Sequence, residues 1–578
     1  MSKLFWLAAL SLAIPASASR VETVRVTVAP TMVKVRPTEP LPPAARGAGP
    51  IEILAARNEC EDAQVVVTAG DRPVKALTAR ATPLLRGGES IGVELFREAF
   101  LEVKTPSNTE GATGLWPDAL VPVVDDVVHE KRNAFPVDVP AHWHQPLLLR
   151  ICVPAATVPG RYAGAVTLSW TGGGKRVPVR LDVRNVVIPA TSSIPVTFGL
   201  SGRSVLVGHF GRRRSDAERL ELVERYAKEA LDHRISLHVM SRIMPKVTGT
   251  GSRMRVDFSE WDRELDPLFG HAAWNGARPS AIDLRIPDDL PLAEWHGYAR
   301  IVAEHFRKRY PGTLLFAYVM DEPKAWQHAE LVARLDALAD TGVARLVTTS
   351  LDPSLAGKVD VWTENVNCFT WKKRRGEYCA HNVRRNAYSA REARGDRVWW
   401  YQSCSSQGCN HGPFGDARDQ YFRGWPSYMV DVDGAANQAM GWLAFTHRIE
   451  GELYYDTVYA YNFYDEHRSL RVDPWTSLWA FGGNGDGTLF YPGRPELIGG
   501  RTNIPIASLR LELIRDGLED YELLRLLAGR GSTGKARALA IARSVAPELY
   551  DFSRDPVAWA RARRELFDAL APERSAVR

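Results

Sequence analysis

Between Val196 and Asp456 eight short apolar runs alternate with stretches of helical spacing, and this alternation constrains the fold more than any other feature of the 578-residue chain. The runs are Val196–Leu200, Ser236–Met240, Ala281–Ile286, Leu314–Met320, Arg345–Ser350, Val359–Thr363, Arg397–Ser403 and Glu452–Asp456. Strands that alternate with helices favour a parallel sheet, and eight of them favour a closed barrel. An open doubly wound sheet is the alternative. No Gly-rich nucleotide loop follows the first run, which counts against a dinucleotide-binding fold. Ser215 with Glu218 makes a capping box, and Leu220, Val223, Ala227 and Leu231 form the buried stripe of the helix it opens.

The fourth run ends in two adjacent acids, Phe316-Ala-Tyr-Val-Met-Asp-Glu-Pro323. Pro323 has no N–H to give a sheet ladder and stops the strand. Leu331, Leu335 and Leu338 then repeat at helical spacing. Asp321 and Glu322 thus stand at the carboxyl end of a barrel strand, where α/β barrels keep their chemistry. Two adjacent carboxylates are costly to bury unpaired. A helix N-terminus decorated with acids is the competing reading.

Ahead of the barrel the rhythm differs. From Val21 to about Pro189 apolar residues alternate with polar ones, as in Val24, Val26 and Val28, or Val177, Val179, Leu181 and Val183. Turn signals such as Thr171-Gly-Gly-Gly174 separate these runs, which predicts an antiparallel β-sandwich. Ala190-Thr-Ser-Ser-Ile-Pro195 reads as a linker. Behind the barrel, Leu511, Ile514, Leu518, Tyr521 and Leu524 mark a long amphipathic helix. The expected organisation is a signal peptide over 1–18, a β-sandwich over 19–190, a (β/α)8 TIM-like barrel over 195–530 and a C-terminal helical extension over 531–578. The chain is too long for one hydrophobic core.

Lys3, the apolar run Leu4–Ile14 and Ala16-Ser17-Ala18 have the pattern of a cleavable secretory leader, too short to span a bilayer. A secreted or periplasmic protein follows, with no membrane span. All six cysteines lie beyond the leader. Their proximity in sequence suggests Cys404 with Cys409, Cys368 with Cys379 and Cys60 with Cys152, in a compartment where disulfides persist. Net charge is +5 with no basic block rich in aromatics, so nucleic acid is a poor partner. Oligomeric state is not readable.

The barrel strand ends are rich in aromatic and polar residues: Tyr318, His238, Trp362 with Glu364, Trp400 with Tyr401, and Tyr455 with Asp456. Sugar rings stack their C–H faces on aromatic rings and offer hydroxyls to carboxylates, so the set suits a glycan substrate. Side chains alternate across a strand, so about half of these must face away, and at most one of Trp399 and Trp400 points inward. His142-Trp-His144 lacks a third ligand nearby, and no metal or organic cofactor is expected. No Gly-x-Ser-x-Gly elbow occurs in the barrel, which disfavours a serine hydrolase.

Several stretches together resemble the glycoside hydrolase family 123 group and the related bacterial proteins grouped as domain of unknown function 4091. They are Ala55-Ala-Arg-Asn-Glu-Cys-Glu-Asp-Ala-Gln64, Pro159-Gly-Arg-Tyr-Ala-Gly164, His233-Arg-Ile-Ser236, Tyr318-Val-Met-Asp-Glu-Pro323, Glu450-Gly-Glu-Leu-Tyr-Tyr455, Gly485-Asp-Gly-Thr-Leu-Phe-Tyr-Pro-Gly493 and Leu511-Glu-Leu-Ile-Arg-Asp-Gly-Leu-Glu-Asp-Tyr521. The resemblance implies a sandwich followed by a barrel. It also implies retaining hydrolysis of β-linked N-acetylgalactosaminides with the substrate's acetamido group as nucleophile. The family's catalytic Asp–Glu pair matches Asp321 and Glu322. Family members often carry Trp near the end of the last barrel strand, where this chain has Tyr455. The competing expectations are a hydrolase of another glycan using the same two acids, and a non-catalytic carbohydrate-binding surface protein.

Overall fold

The computed structural model describes residues 24–571 apart from 46, 48, 241–242, 271–272, 371, 373–378, 380–382, 410–420, 463 and 466–469. The expected leader, 1–18, lies outside the described residues.

The period-two runs form two sheets. One has five strands, in the order Val24–Ala29, Glu59–Ala69, His144–Val153, Glu94–Val103 and Gly114–Pro122, all antiparallel. The other has seven, with Gly173–Val187 between Gly160–Trp170 and Ile51–Arg57. Their inward residues, among them Ile53, Val65, Leu147, Leu149, Val166 and Leu181, share one apolar core. One pairing departs from the antiparallel expectation: Ile51–Arg57 runs parallel to Gly173–Val187. A long intervening path lets these two strands meet in the same direction, which a tight hairpin cannot do.

All eight expected barrel strands are present: Val196–Gly199, Ser236–His238, Ala281–Asp283, Leu314–Met320, Ala344–Thr348, Val361–Asn365, Arg397–Tyr401 and Glu452–Tyr454. They form one sheet in the order second, first, eighth, seventh, sixth, fifth, fourth, third, with every pairing parallel. The barrel is nearly closed. At the seam the Ser280 N–H donates to Ser236 Oγ at 2.7 Å, and the two hydroxyl oxygens lie 2.9 Å apart, where a ladder would otherwise run. None of its strands pairs with a strand of residues 24–187.

The helical layer is less complete than a (β/α)8 pattern. Helices Asp216–Asp232, Ser259–Phe269, Trp295–Arg309, His328–Ala337 and Gly434–His447 come after the first, second, third, fourth and seventh strands. Between the fifth and sixth strands the described chain makes only the 3-10 turn Pro353–Leu355. That connection is too short to run a helix back along the barrel. The Ser215–Glu218 capping box forms as expected.

The helix Leu509–Ala528, which is followed by Gly531–Val545 and Pro556–Leu570, is buried on nearly all sides rather than amphipathic. Its charges face sandwich and barrel together. Arg515 reaches Asp62 at 2.6 Å, and Glu519 accepts from the Arg234 guanidinium at 3.0 Å. Arg510 grips both carboxylate oxygens of Asp118 at 2.9 and 2.8 Å. Charges buried this way stay only because they are paired, and removing one partner of such a pair typically costs about 3–5 kcal/mol.

Candidate active site

Inside the barrel, Phe316, Leu346, Val361, Trp399 and Leu453 form an apolar floor, with the Phe316 and Trp399 rings 5.9 Å apart. Two residues further along their strands, Tyr318 and Tyr401 point the same way, since side chains repeat on one face every second position. These phenols hold the two acids. Tyr318 donates to Asp321 Oδ1 at 2.6 Å, and Tyr401 donates to Glu322 Oε1 at 2.7 Å.

Adjacent residues of a regular strand would point to opposite faces. Two irregularities bring Asp321 and Glu322 to one mouth. The register of the fourth strand against the fifth slips between Tyr318 and Met320, a bulge of the kind that re-aims side chains beside sites. Glu322 then adopts φ +38°, in the left-handed region. That is costly for a residue with a Cβ and more so before proline, on the order of 1–3 kcal/mol. Thr348, at the end of the fifth strand, fixes the turn. Its hydroxyl accepts from the Glu322 N–H at 2.7 Å and donates to Asp321 Oδ1 at 3.0 Å.

Asp321 and Glu322 are both exposed to solvent, and the Lys324 ammonium lies 3.9 Å from Glu322 Oε2. Burial, and after it the neighbouring carboxylates, push the Tyr318 and Tyr401 phenols well above their usual range, so both remain donors. Glu364, at the end of the sixth strand, is buried nearby. Burial raises its carboxyl to about 8, with the charge of Glu322 adding to the shift.

Two of the sequence-predicted contacts are corrected. Trp362 and Trp400 are fully buried on the outer face of the barrel, in the core against the helices. The Trp362 indole N–H donates to Asp396 at 2.9 Å. Val361 and Trp399 take the inward positions of their strands, and alternation turns their neighbours away. His238 lies buried inside the barrel, its ring 6.4 Å from Phe316 and its Nδ1 3.1 Å from Thr197 Oγ1. Tyr455 and Asp456 lie partly exposed at the mouth, past the end of the eighth strand. Asp456 accepts from the Thr457 and Val458 N–H groups, and burial raises it to about 7. Thr348 completes the constellation and was not picked out from the sequence, since a lone threonine at a strand end carries no pattern to find it by; Glu364, named with Trp362 among the polar strand ends, is buried close enough to feel the charge of Glu322.

His144 bonds Thr68 across the first sheet at 2.8 Å while the His142 side chain is exposed. Among the described residues two acidic groups have metal-ligand spacing, Glu59–Glu61–Glu519 and Asp126–Glu229–Asp232. Arg563 already spans Glu59 and Glu61, Lys228 spans Asp126 and Asp232, and neither group includes the acid pair.

Residues 374–527 match the family model described as Glycoside hydrolase 123, catalytic domain. The matched stretch begins beyond Asp321 and Glu322 and takes in the last two barrel strands and most of the buried helix. The fold is similar to that of a family 123 glycoside hydrolase from Clostridium perfringens, solved in a study of glycolipid glycan hydrolysis. The TM-score is 0.66 at 13% identity, over 95% of this chain and 98% of that one. A GH10 xylanase with a bacterial Ig-like domain, from termite gut, matches at TM-score 0.30 and 11% identity, over 82% of this chain and 100% of that one. No curated protein matches the chain. The class is that of a glycosidase, an enzyme acting on O-glycosyl bonds. Within it, the chain is similar to family 123, the group its motifs resemble.

Proposed function

We propose that the protein is an exported retaining glycosidase that cleaves β-linked N-acetylhexosaminides, N-acetylgalactosaminide-like, by substrate-assisted catalysis. The observation that carries this reading is the acid pair itself. A strained turn aims both carboxylates into one mouth, and each is held by its own phenol. Backbone strain persists where surrounding structure over-determines it, which is common at active sites.

In this reading the substrate's acetamido oxygen attacks the anomeric carbon as the glycosidic C–O bond breaks. Glu322 delivers its proton to the departing oxygen. Asp321, already fixed by Tyr318 and Thr348, accepts from the acetamido N–H and stabilises the positive charge of the cyclic oxazolinium-like intermediate. Water then opens the ring, and the Glu322 carboxylate takes its proton. Substrate-assisted hydrolysis needs no enzymic nucleophile. The leader pattern over Met1–Ala18 and three disulfides, Cys60–Cys152, Cys368–Cys379 and Cys404–Cys409, support export to an oxidising compartment.

A panel of nitrophenyl β-glycosides with and without the 2-acetamido group tests the reading. Release from the N-acetylgalactosaminide, with little from the galactoside, is expected. Equal release from both would contradict substrate assistance.

A further inference from the structure

The stretch Gly485-Asp-Gly-Thr-Leu-Phe-Tyr-Pro-Gly493 has no part in the chemistry proposed above. Its acid, Asp486, is fully buried and divides its two carboxylate oxygens between two neighbours. Oδ2 accepts from the Cys404 N–H at 2.8 Å, and Oδ1 accepts from the Tyr454 hydroxyl at 3.0 Å. Cys404 lies three residues past Tyr401, the last residue of the seventh strand, and Tyr454 ends the eighth. Tyr401 and Leu453, the neighbour of Tyr454, are register partners. Asp486 therefore staples the two strands together just past the point where their ladder stops.

Both ends of the staple are themselves fixed. The Cys404 carbonyl accepts from the Gln407 and Cys409 N–H groups at 2.9 and 3.0 Å, and its sulfur is bonded to Cys409. The Gln407 side chain donates to that of Gln402, the residue after Tyr401, at 3.1 Å. On the other side the Tyr454 hydroxyl accepts from the Gly487 N–H at 2.7 Å and gives its own proton to Asp486. Gly485 at φ +90° and Gly487 at φ +63° bend the chain round the acid, as only glycine does without strain. The turn is also anchored from the sandwich. Asn484 donates its N–H to Ser107 Oγ at 2.7 Å and its side-chain amide to the Thr105 carbonyl at 2.9 Å.

The Tyr401 phenol aims Glu322, yet Tyr401 stands where its strand ends and the sheet no longer restrains the backbone. What fixes the chain beyond Tyr401 fixes the phenol.

We propose that Asp486 is a positioning residue for the general acid: it locks the chain beyond the seventh strand so that Tyr401 presents its hydroxyl to Glu322. This rests on the assignment of Glu322 given above. Asp486 is sealed in the protein and acts through Tyr401, not on the substrate.

Asp486→Asn tests the lock, because an amide has one acceptor oxygen. It can serve Cys404 or Tyr454, and it turns an NH2 group on the other donor. The measurement is the kinetics of the full chain on aryl N-acetylgalactosaminides of graded leaving-group pKa. In Asp486→Asn kcat should fall about tenfold on poor leaving groups and much less on good ones, with KM within about twofold of the parent. A smaller folded fraction lowers every rate alike and cannot produce that contrast. Added to Tyr401→Phe, Asp486→Asn should cost little more, since the hydroxyl it serves is gone. Tyr454→Phe withdraws one donor and keeps the ring, and it should steepen the same dependence even where Asp486→Asn does not fold. A uniform loss across the series in these variants would overturn the proposal, as would losses for Asp486→Asn and Tyr401→Phe that simply multiply. Glu322→Gln is the reference. A leaving-group-dependent loss there without one in Asp486→Asn defeats the positioning role alone, whereas full activity there defeats the acid assignment and this role with it.

Discussion

The Tyr401 hydroxyl donates to Glu322 Oε1 at 2.7 Å across the barrel mouth, from the seventh strand to the turn after the fourth. Glu322 has no close packing of its own to aim it: the carboxylate is exposed and hangs from a strained backbone. The phenol is therefore the positioning group. Tyr401→Phe keeps the ring and loses the donor. A hydrogen bond to a charged group is worth about 1.5–3 kcal/mol, so kcat should fall roughly tenfold or more. Unchanged kcat would show that Tyr401 does not position the acid.

Thr348 ties both acids through one oxygen. Thr348→Val keeps the shape and removes the hydroxyl. Misplacing both carboxylates should lower kcat/KM by about tenfold to hundredfold, for good and poor leaving groups alike. Thr348→Ser should recover most of the loss, since it restores the oxygen. Failure of the serine variant would indicate that packing of the methyl matters more than the bond.

Glu364 supplies a pH test. Its carboxyl is raised from 4.5 to about 8 by burial, so the folded protein keeps it neutral where the unfolded chain ionises. The stability it contributes is fully present below about 4.5, declines as pH rises from there, and is lost once pH passes through about 8. Glu364→Gln should flatten that part of the profile in denaturant melts across pH 5–9, relative to the parent. Parallel profiles would show that Glu364 is not held neutral.

Much of the fold was legible because its signals are periodic. Eight strands and the capping box at Ser215 follow from spacing alone, and the structure has them where expected. The phase of the barrel strands was not legible. Parallel strands buried on both faces carry no polar alternation, so Val398-Trp-Trp-Tyr401 does not reveal which tryptophan faces inward. Trp400 and Trp362 were expected in the site for that reason, and the structure puts them in the outer core. The left-handed turn at Glu322 had no glycine to announce it. The buried charges of Leu509–Ala528 looked like a solvated face because their partners, Asp62, Arg234 and Asp118, come from distant parts of the chain.

The three disulfides give a chemical test of the described structure, in which no cysteine is free. Cys404–Cys409 closes a short loop directly after the strand that carries Tyr401. By loop entropy so short a closure stabilises on the order of 2–3 kcal/mol. Alkylation of exported protein under denaturing, non-reducing conditions should label none of the six cysteines. Labelling of Cys404 and Cys409 would remove the clamp on that loop.

The most direct measurement is the activity of Glu322→Gln and Asp321→Asn on aryl N-acetylgalactosaminides of graded leaving-group pKa. General-acid help is typically worth about 10²–10⁴-fold. Glu322→Gln should lose most on poor leaving groups and much less on good ones, which need little protonation to depart. Asp321→Asn should slow the whole series, because closure of the oxazolinium ring precedes every later step. A loss for Glu322→Gln that is equal across the series would remove it from the acid role, and full activity in both variants would place the chemistry away from this pair.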